Sequence, residues 1–267
     1  MRLLTPGRLA SRGQGPPPLH DCGGLFFLVH DGFLVDETRT AEIAAGLAEV
    51  RERIAAACAK ARRPREEITL VAVTKTYPAS DVRILSGLGV EDVGENRDQE
   101  AAPKAAELAD LPLTWHFVGQ LQTNKVRSVV AYADVVHSVD RPRLVQALSA
   151  EAVRAGREVA CLVQIALDDD PSRGGARPAD VPALADAIAA APGLRLGGVM
   201  AVAPLGAEPG AAFSRLRDLA LAVCAGHPGA TMVSAGMSGD LDEAVAHGAT
   251  HVRVGTALLG LRKGFVR

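Results

Sequence analysis

Eight short apolar runs alternate along this chain with segments whose apolar residues recur at helical spacing, and no other feature restricts the fold as much. The runs span 69–74, 90–94, 113–118, 135–139, 159–166, 194–201, 231–235 and 251–254. Between them, sets such as Leu144/Val145/Leu148/Ala152, Val181/Leu184/Ala185/Ile188 and Phe213/Leu216/Leu219/Val223 follow the period of one buried helix face. A leading helix is marked by Ile43, Leu47, Val50, Ile54, Ala57 and Ala61, and Pro64 stops it. Eight strands, seven intervening helices and one helix in front predict an α/β fold: a single (β/α)8 TIM-type barrel with a leading N-terminal helix over 37–267. An open doubly wound sheet is the competitor. The count of eight and the lack of an early Gly-x-Gly-x-x-Gly favour the barrel. The last inter-strand helix is short: Asp240 is placed to cap it, Glu243 stands at its third position and Gly248 ends it.

Composition narrows the function. The 267 residues are 48% hydrophobic, enough for one large core or two small ones. A net charge of −2 supplies no field toward nucleic acid or membrane, and 3% aromatics argue against base-stacking platforms. No apolar run approaches the roughly 20 residues of a membrane span. Cys22, Cys58, Cys161 and Cys224 are far apart without a CxxC, which fits free thiols in a reducing cytoplasm. His247 and His251 are four apart, but Gly248 lies between them at a helix-to-strand change, so no metal pair is expected. Residues 1–36 differ from the rest, being rich in Arg, Gly and Pro and free of acids before Asp21. They are expected to be a disordered extension or a start assigned too early, with Val35 as the alternative start. A transit peptide is the lesser alternative, and the patch at 25–29 is too short and too late for a signal-peptide core. Native protein beginning at Met1 or Arg2 by mass spectrometry would refute the early-start reading.

In a barrel, active groups gather where the strands stop. Lys75 ends the first run, and is one of five lysines against 24 arginines. The second runs into Gly94-Glu95-Asn96-Arg97, the third ends in Trp115-His116-Phe117-Val118-Gly119-Gln120, and the fourth in His137-Ser138-Val139-Asp140. Asp140 and Thr123 read first as helix caps, His116 as a hydrogen-bonded core histidine and Trp115 as packing. The seventh gives Ser234-Ala235-Gly236-Met237-Ser238-Gly239-Asp240, and the eighth gives Arg253-Val254-Gly255-Thr256. Hydroxyls and small residues before helix N-termini expose backbone N–H groups, and the loops after strands seven and eight are a recurrent phosphate site. A lysine at a strand end is often only a snorkelling side chain. In apolar surroundings, however, its amine loses its proton more readily and can attack an aldehyde. An amine beside a phosphate cradle suits a ligand carrying both groups: pyridoxal 5′-phosphate (PLP), or a sugar phosphate as in a class I aldolase.

Five blocks resemble the pyridoxal phosphate homeostasis proteins, PLP-binding barrels of the alanine-racemase-like fold type III. They are the Lys75 strand, Gly94-Glu95-Asn96, the stretch from Trp115 through Leu121-Gln122-Thr123-Asn124-Lys125, His137-Ser138-Val139-Asp140, and the Ser234–Asp240 block with Val252-Arg253-Val254-Gly255-Thr256. The resemblance runs from about Thr40 to Arg262. It implies PLP held as a covalent imine on Lys75, with Arg253 facing the pyridine nitrogen and Asn96 beside the ring. Ser234, Met237, Ser238, Gly255 and Thr256 would line the phosphate. It also implies intracellular PLP homeostasis with little or no turnover, and PLP-dependent apoenzymes as candidate recipients. Arg97-Asp98 replaces the usual aromatic-bearing stretch, Ala235 the usual methionine, and Arg173 a lysine, so Arg173 cannot provide a second imine.

A carrier is also the reading that chemistry favours. An arginine cannot leave the pyridine nitrogen protonated as an aspartate would, so the ring is a weak electron sink. Racemases with this arrangement resemble the chain only in part, since they carry a second domain with a tyrosine acid/base. Here the chain stops soon after the eighth run, and Tyr77 and Tyr132 are the only tyrosines. The alternative is a PLP-dependent amino-acid racemase or lyase, with His116 and His137 as its first acid/base candidates.

Overall fold

The computed structural model describes residues 27–30, 33–168, 173–204, 206 and 208–260. The extension expected over 1–36 lies mostly outside these residues. Within it, β1 (Phe27–His30) and β2 (Phe33–Asp36) pair antiparallel, Phe27 opposite Asp36 and His30 opposite Phe33. This ribbon belongs to a unit separate from the one that begins at Arg39.

The second unit is the predicted barrel. Its strands are β3 (Thr69–Val73), β4 (Asp92–Glu95), β5 (Thr114–Phe117), β6 (Val135–Val139), β7 (Val159–Gln164), β8 (Leu194–Met200), β9 (Met232–Ser234) and β10 (His251–Val254). All pair in parallel, and β10 closes onto β3 with Arg253 opposite Val71. Helix α1 (Glu37–Ala61) precedes the barrel. The crossovers carry α2 (Ala79–Gly87), α3 (Asp98–Glu107), α4 (Val126–Tyr132), α5 (Pro142–Ala155), α6 (Val181–Ala190), α7 (Pro209–Gly226) and α8 (Leu241–Ala246), and α9 (Thr256–Leu259) follows β10. The predicted apolar sets occupy their inner faces; Leu144, Val145, Leu148 and Ala152 of α5 are all buried. No helix among the described residues is long and apolar enough to cross a membrane.

Strand side chains alternate between two environments, as the pleat requires. On β10, Val252 and Val254 pack outward with Ile43, Leu47 and Ile54 of α1, so His251 and Arg253 point into the barrel. By the same alternation Trp115 and Phe117 of β5 face the helix layer, and His116 faces inward. Val135, Ala160, Leu162 and Met200 form a small apolar cluster apart from the helix layer. The barrel interior thus receives apolar side chains from β6–β8 and polar ones from β4, β5, β9 and β10, and β6 supplies both Val135 and His137.

Several local readings are corrected. Neither Thr123 nor Asp140 holds a cap position: Thr123 is the first residue of a short 3-10 turn, Thr123–Lys125, that follows Gln122, and Arg141 holds the N-cap position of α5 while Asp140 pairs with it at 2.5 Å. Asp240 does hold the N-cap position of α8, but its carboxylate accepts from the Met237 N–H at 2.6 Å rather than from the helix. The loop before it competes for the same oxygen and wins. Gly248 follows α8 with φ 92°, the left-handed exit expected of it.

Candidate functional site

Strands β9, β10, β3 and β4 are consecutive around the barrel. Their C-terminal ends therefore bring Lys75, Asn96, Met237, Ser238, Gly255 and Thr256 to one sector of the mouth, with Ser234 and Arg253 just below.

Strand β3 stops at Val73. The Thr74 N–H donates to Gly94 O at 2.9 Å, and the chain then turns through Lys75 and Thr76, the latter at φ 69°. Lys75 is exposed, and its amine makes no hydrogen bond or ion pair with any described residue. The apolar surroundings expected for it end one residue earlier, at buried Thr74. What fixes Lys75 is its backbone. Buried Lys104, from α3, donates to Thr74 O at 2.9 Å and to Glu95 Oε1 at 2.5 Å. Thr74 Oγ1 donates to the same carboxylate oxygen at 2.7 Å. On the other side, the Thr76 N–H donates to Glu100 Oε2 at 2.9 Å. Sequence reasoning missed Lys104, because a lysine nine residues beyond Glu95 carries no local sign that it turns inward.

Asn96 is half-buried and is backed by Gly119: a Cβ there would stand 2.1 Å from Asn96 O, so only glycine fits. On the opposite flank, a Cβ on Gly255 would lie 3.1 Å from Val73 O, which sets the β10 loop directly against the end of β3. The N–H groups of Ser238, Gly255 and Thr256 donate to no described residue. Arg53 of α1 braces the β9 loop by donating to Ser238 O and, at 2.7 Å, to Asp242.

Ser234 is fully buried, and its hydroxyl is turned away from this loop. It accepts from Arg253 Nη1 at 2.5 Å and lies 2.9 Å from His137 Nδ1. Arg253 Nη2 donates to Ala201 O at 2.9 Å. Burial pulls the Arg253 guanidinium down to about 10, with Asp240 opposing, so it stays charged at neutral pH. His137 Nε2 lies 2.8 Å from His116 Nδ1, and His116 Nε2 lies 2.8 Å from Asp92 Oδ1. Burial first, then His116, Arg253 and His251, hold the His137 pKa well below the usual imidazole range. His116 is the hydrogen-bonded core histidine anticipated, and both rings lie inside the barrel rather than at its mouth.

Other candidates fall elsewhere. Arg173 donates to Asp168 at 2.7 Å and to Ala203 O at 2.7 Å, a strut of the loop after β7. Arg97 lies exposed at the start of α3. Trp115 is buried and meets Tyr132 edge-on at 6.3 Å, as packing. His247 follows α8 and His251 lies in β10, so the two share no helical face.

The arrangement offers a free primary amine, unclaimed backbone N–H donors a strand away, and a buried guanidinium between them. That set suits a ligand with an aldehyde, an anionic group and a ring acceptor.

Comparison with known proteins adds to this. The alanine racemase N-terminal domain family matches residues 46–263. The chain is 46% identical over 240 residues to a pyridoxal phosphate homeostasis protein of Mycobacterium leprae, covering 83% of this chain and 93% of that protein. The solved structure of PipY of Synechococcus elongatus with PLP bound superposes with a TM-score of 0.72 at 39% identity, covering 82% of this chain and all of that one. Alanine racemase of Corynebacterium glutamicum shares the fold alone, with a TM-score of 0.62 at 15% identity over 63% of its length.

Proposed function

The chain belongs to the pyridoxal phosphate homeostasis protein family, built on the alanine racemase N-terminal domain, and from that premise we propose that it binds PLP and holds it for intracellular PLP homeostasis. Lys75 would carry the cofactor as a Schiff base. Ser238, Gly255 and Thr256 would receive the phosphate on their unclaimed N–H groups, with Met237 at the rim and Asn96 beside the ring. Arg253 would face the pyridine nitrogen, with Ser234 behind it. The observation that carries this reading is the unpartnered Lys75 amine in the same sector as those free donors. Bound PLP supplies an aldehyde for the lysine and a ring whose electron-sink strength follows the protonation of its nitrogen.

The residues support a tether more than a catalyst. Arg253 remains a cation and offers the ring only donors, so it favours an unprotonated pyridine nitrogen. The candidate acid/base groups of a racemase or lyase are withdrawn: His116 and His137 are 1% and 0% exposed and bonded to each other. Tyr77 donates to Gly260 O at 2.5 Å, and partly buried Tyr132 has its phenol pKa pushed upward by burial, then by Asp98 and Glu95. PLP-dependent apoenzymes are the proposed recipients.

Titration with PLP should give an absorbance band near ~420 nm that Lys75→Ala abolishes. Amino-acid racemisation or elimination should stay far below roughly 1 per second. Turnover at or above that rate would replace the carrier with an enzyme. Failure to take up PLP would end the reading.

A further inference from the structure

Five side chains form one hydrogen-bonded line across the barrel, from Arg253 below the mouth to Asp92 at the start of β4, where the carboxylate is 30% exposed. The ends are chemically opposite. Arg253 can only donate and the Asp92 carboxylate can only accept, while Ser234, His137 and His116 can each do both. Once Arg253 Nη1 donates to Ser234 Oγ, the hydroxyl hydrogen is left for His137 Nδ1. His137 then carries its proton on Nε2 and donates to His116 Nδ1. His116 in turn carries its proton on Nε2 and donates to Asp92 Oδ1. Every donor meets an acceptor, and neither imidazole needs a charge.

The opposite polarity is poor. Ser234 would accept twice, and His116 would need a second proton to keep its bond to Asp92. That charge would sit beside His251, 6.3 Å away between ring centres, in the barrel that also holds Arg253. His251 stays outside the line, with Nδ1 at 2.8 Å from Thr250 Oγ1.

We propose that Asp92, His116 and His137 are positioning residues: they pin the Ser234 hydroxyl as an acceptor and so orient Arg253 from the far end of the barrel. The consequence for PLP rests on the reading of the mouth given above; the relay itself is a property of the ligand-free protein.

The test uses ¹⁵N-labelled full-length protein without PLP. Long-range imidazole spectra should show His116 and His137 as neutral Nε2–H tautomers. Asp92→Asn can present its amide oxygen to His116 and should keep both tautomers. Asp92→Lys presents only hydrogens, so it should move both protons to Nδ1, shift the Arg253 side-chain ¹⁵N signals and weaken PLP binding roughly fivefold, as for one lost hydrogen bond. An Nδ1–H proton on His137 in the wild type overturns the relay, even if Asp92→Lys fails to fold. Reversed tautomers with unmoved Arg253 signals overturn its positioning role. If wild-type protein takes up no PLP, the reading of the mouth fails while the tautomers and Arg253 signals still decide the relay.

Discussion

Lys75 is held by other residues rather than by contacts of its own side chain. Its amine is free, and the turn that presents it is pinned by a buried Lys104–Glu95 pair whose exposures are 7% and 0%. A buried pair is costly to break one partner at a time, because the survivor is left charged and unpaired. Lys104→Met should therefore cost about 3–5 kcal/mol in denaturant unfolding, and Lys104→Met with Glu95→Gln should recover much of that loss. Equal stability of the single and double variants would count against the pair. A second residue-scale effect comes from His251. Burial, then His116, lower its pKa to about 4, with Asp92 opposing and Arg253 adding to the drop. Its folded pKa thus lies below the unfolded value near ~6.5, so only the unfolded chain binds the proton between those values. Stability is complete above that range and lost as pH falls toward 4. At pH 5 the histidine should cost about 2 kcal/mol, and His251→Gln should flatten that part of the stability–pH curve. The placement of Lys75 just beyond the first barrel strand was legible in the sequence. The roles of Lys104 and Asp92 were not: Lys104 turns back from α3 onto Glu95 and the end of β3, and Asp92 meets His116 on the neighbouring strand, contacts with no local mark in the sequence.

At the scale of elements, the strands were legible because alternation and apolar runs record burial directly. β6 and β10 match their predicted spans, and the others differ by a few residues at their ends. The caps were not legible. Asp140 and Asp240 each have a competing partner, Arg141 and the Met237 N–H, and local sequence does not rank such competitors. The inward turn of Ser234 was written in the parity of β9 and β10, but only the register that sets His251 opposite Ser234 discloses it. Helix α1 is more than a cover for the barrel, since Arg53 braces the β9 loop. Arg53→Ala should weaken PLP binding by about 1–2 kcal/mol while leaving the ~420 nm band in place at saturation. Unchanged affinity would show that the loop holds its shape without α1. Gly119→Ala would collide with Asn96 and should lower affinity as well as stability.

For the second unit as a whole, the closed barrel sorts an apolar helix layer from an interior that holds both an apolar cluster and a hydrogen-bonded polar line. The result is a mouth with a free amine and free N–H donors above a buried, fully bonded polar line. The barrel and the sector of the site could be read from eight alternating runs and the residues at their ends. The closed, inward wiring beneath the mouth could not, and it is what most favours a tether over a catalytic cycle. The account stands or falls on where PLP attaches. Protein incubated with PLP, reduced with borohydride and mapped by peptide mass spectrometry should carry one phosphopyridoxyl group, on the peptide containing Lys75. Labelling of another lysine, or none, would contradict it.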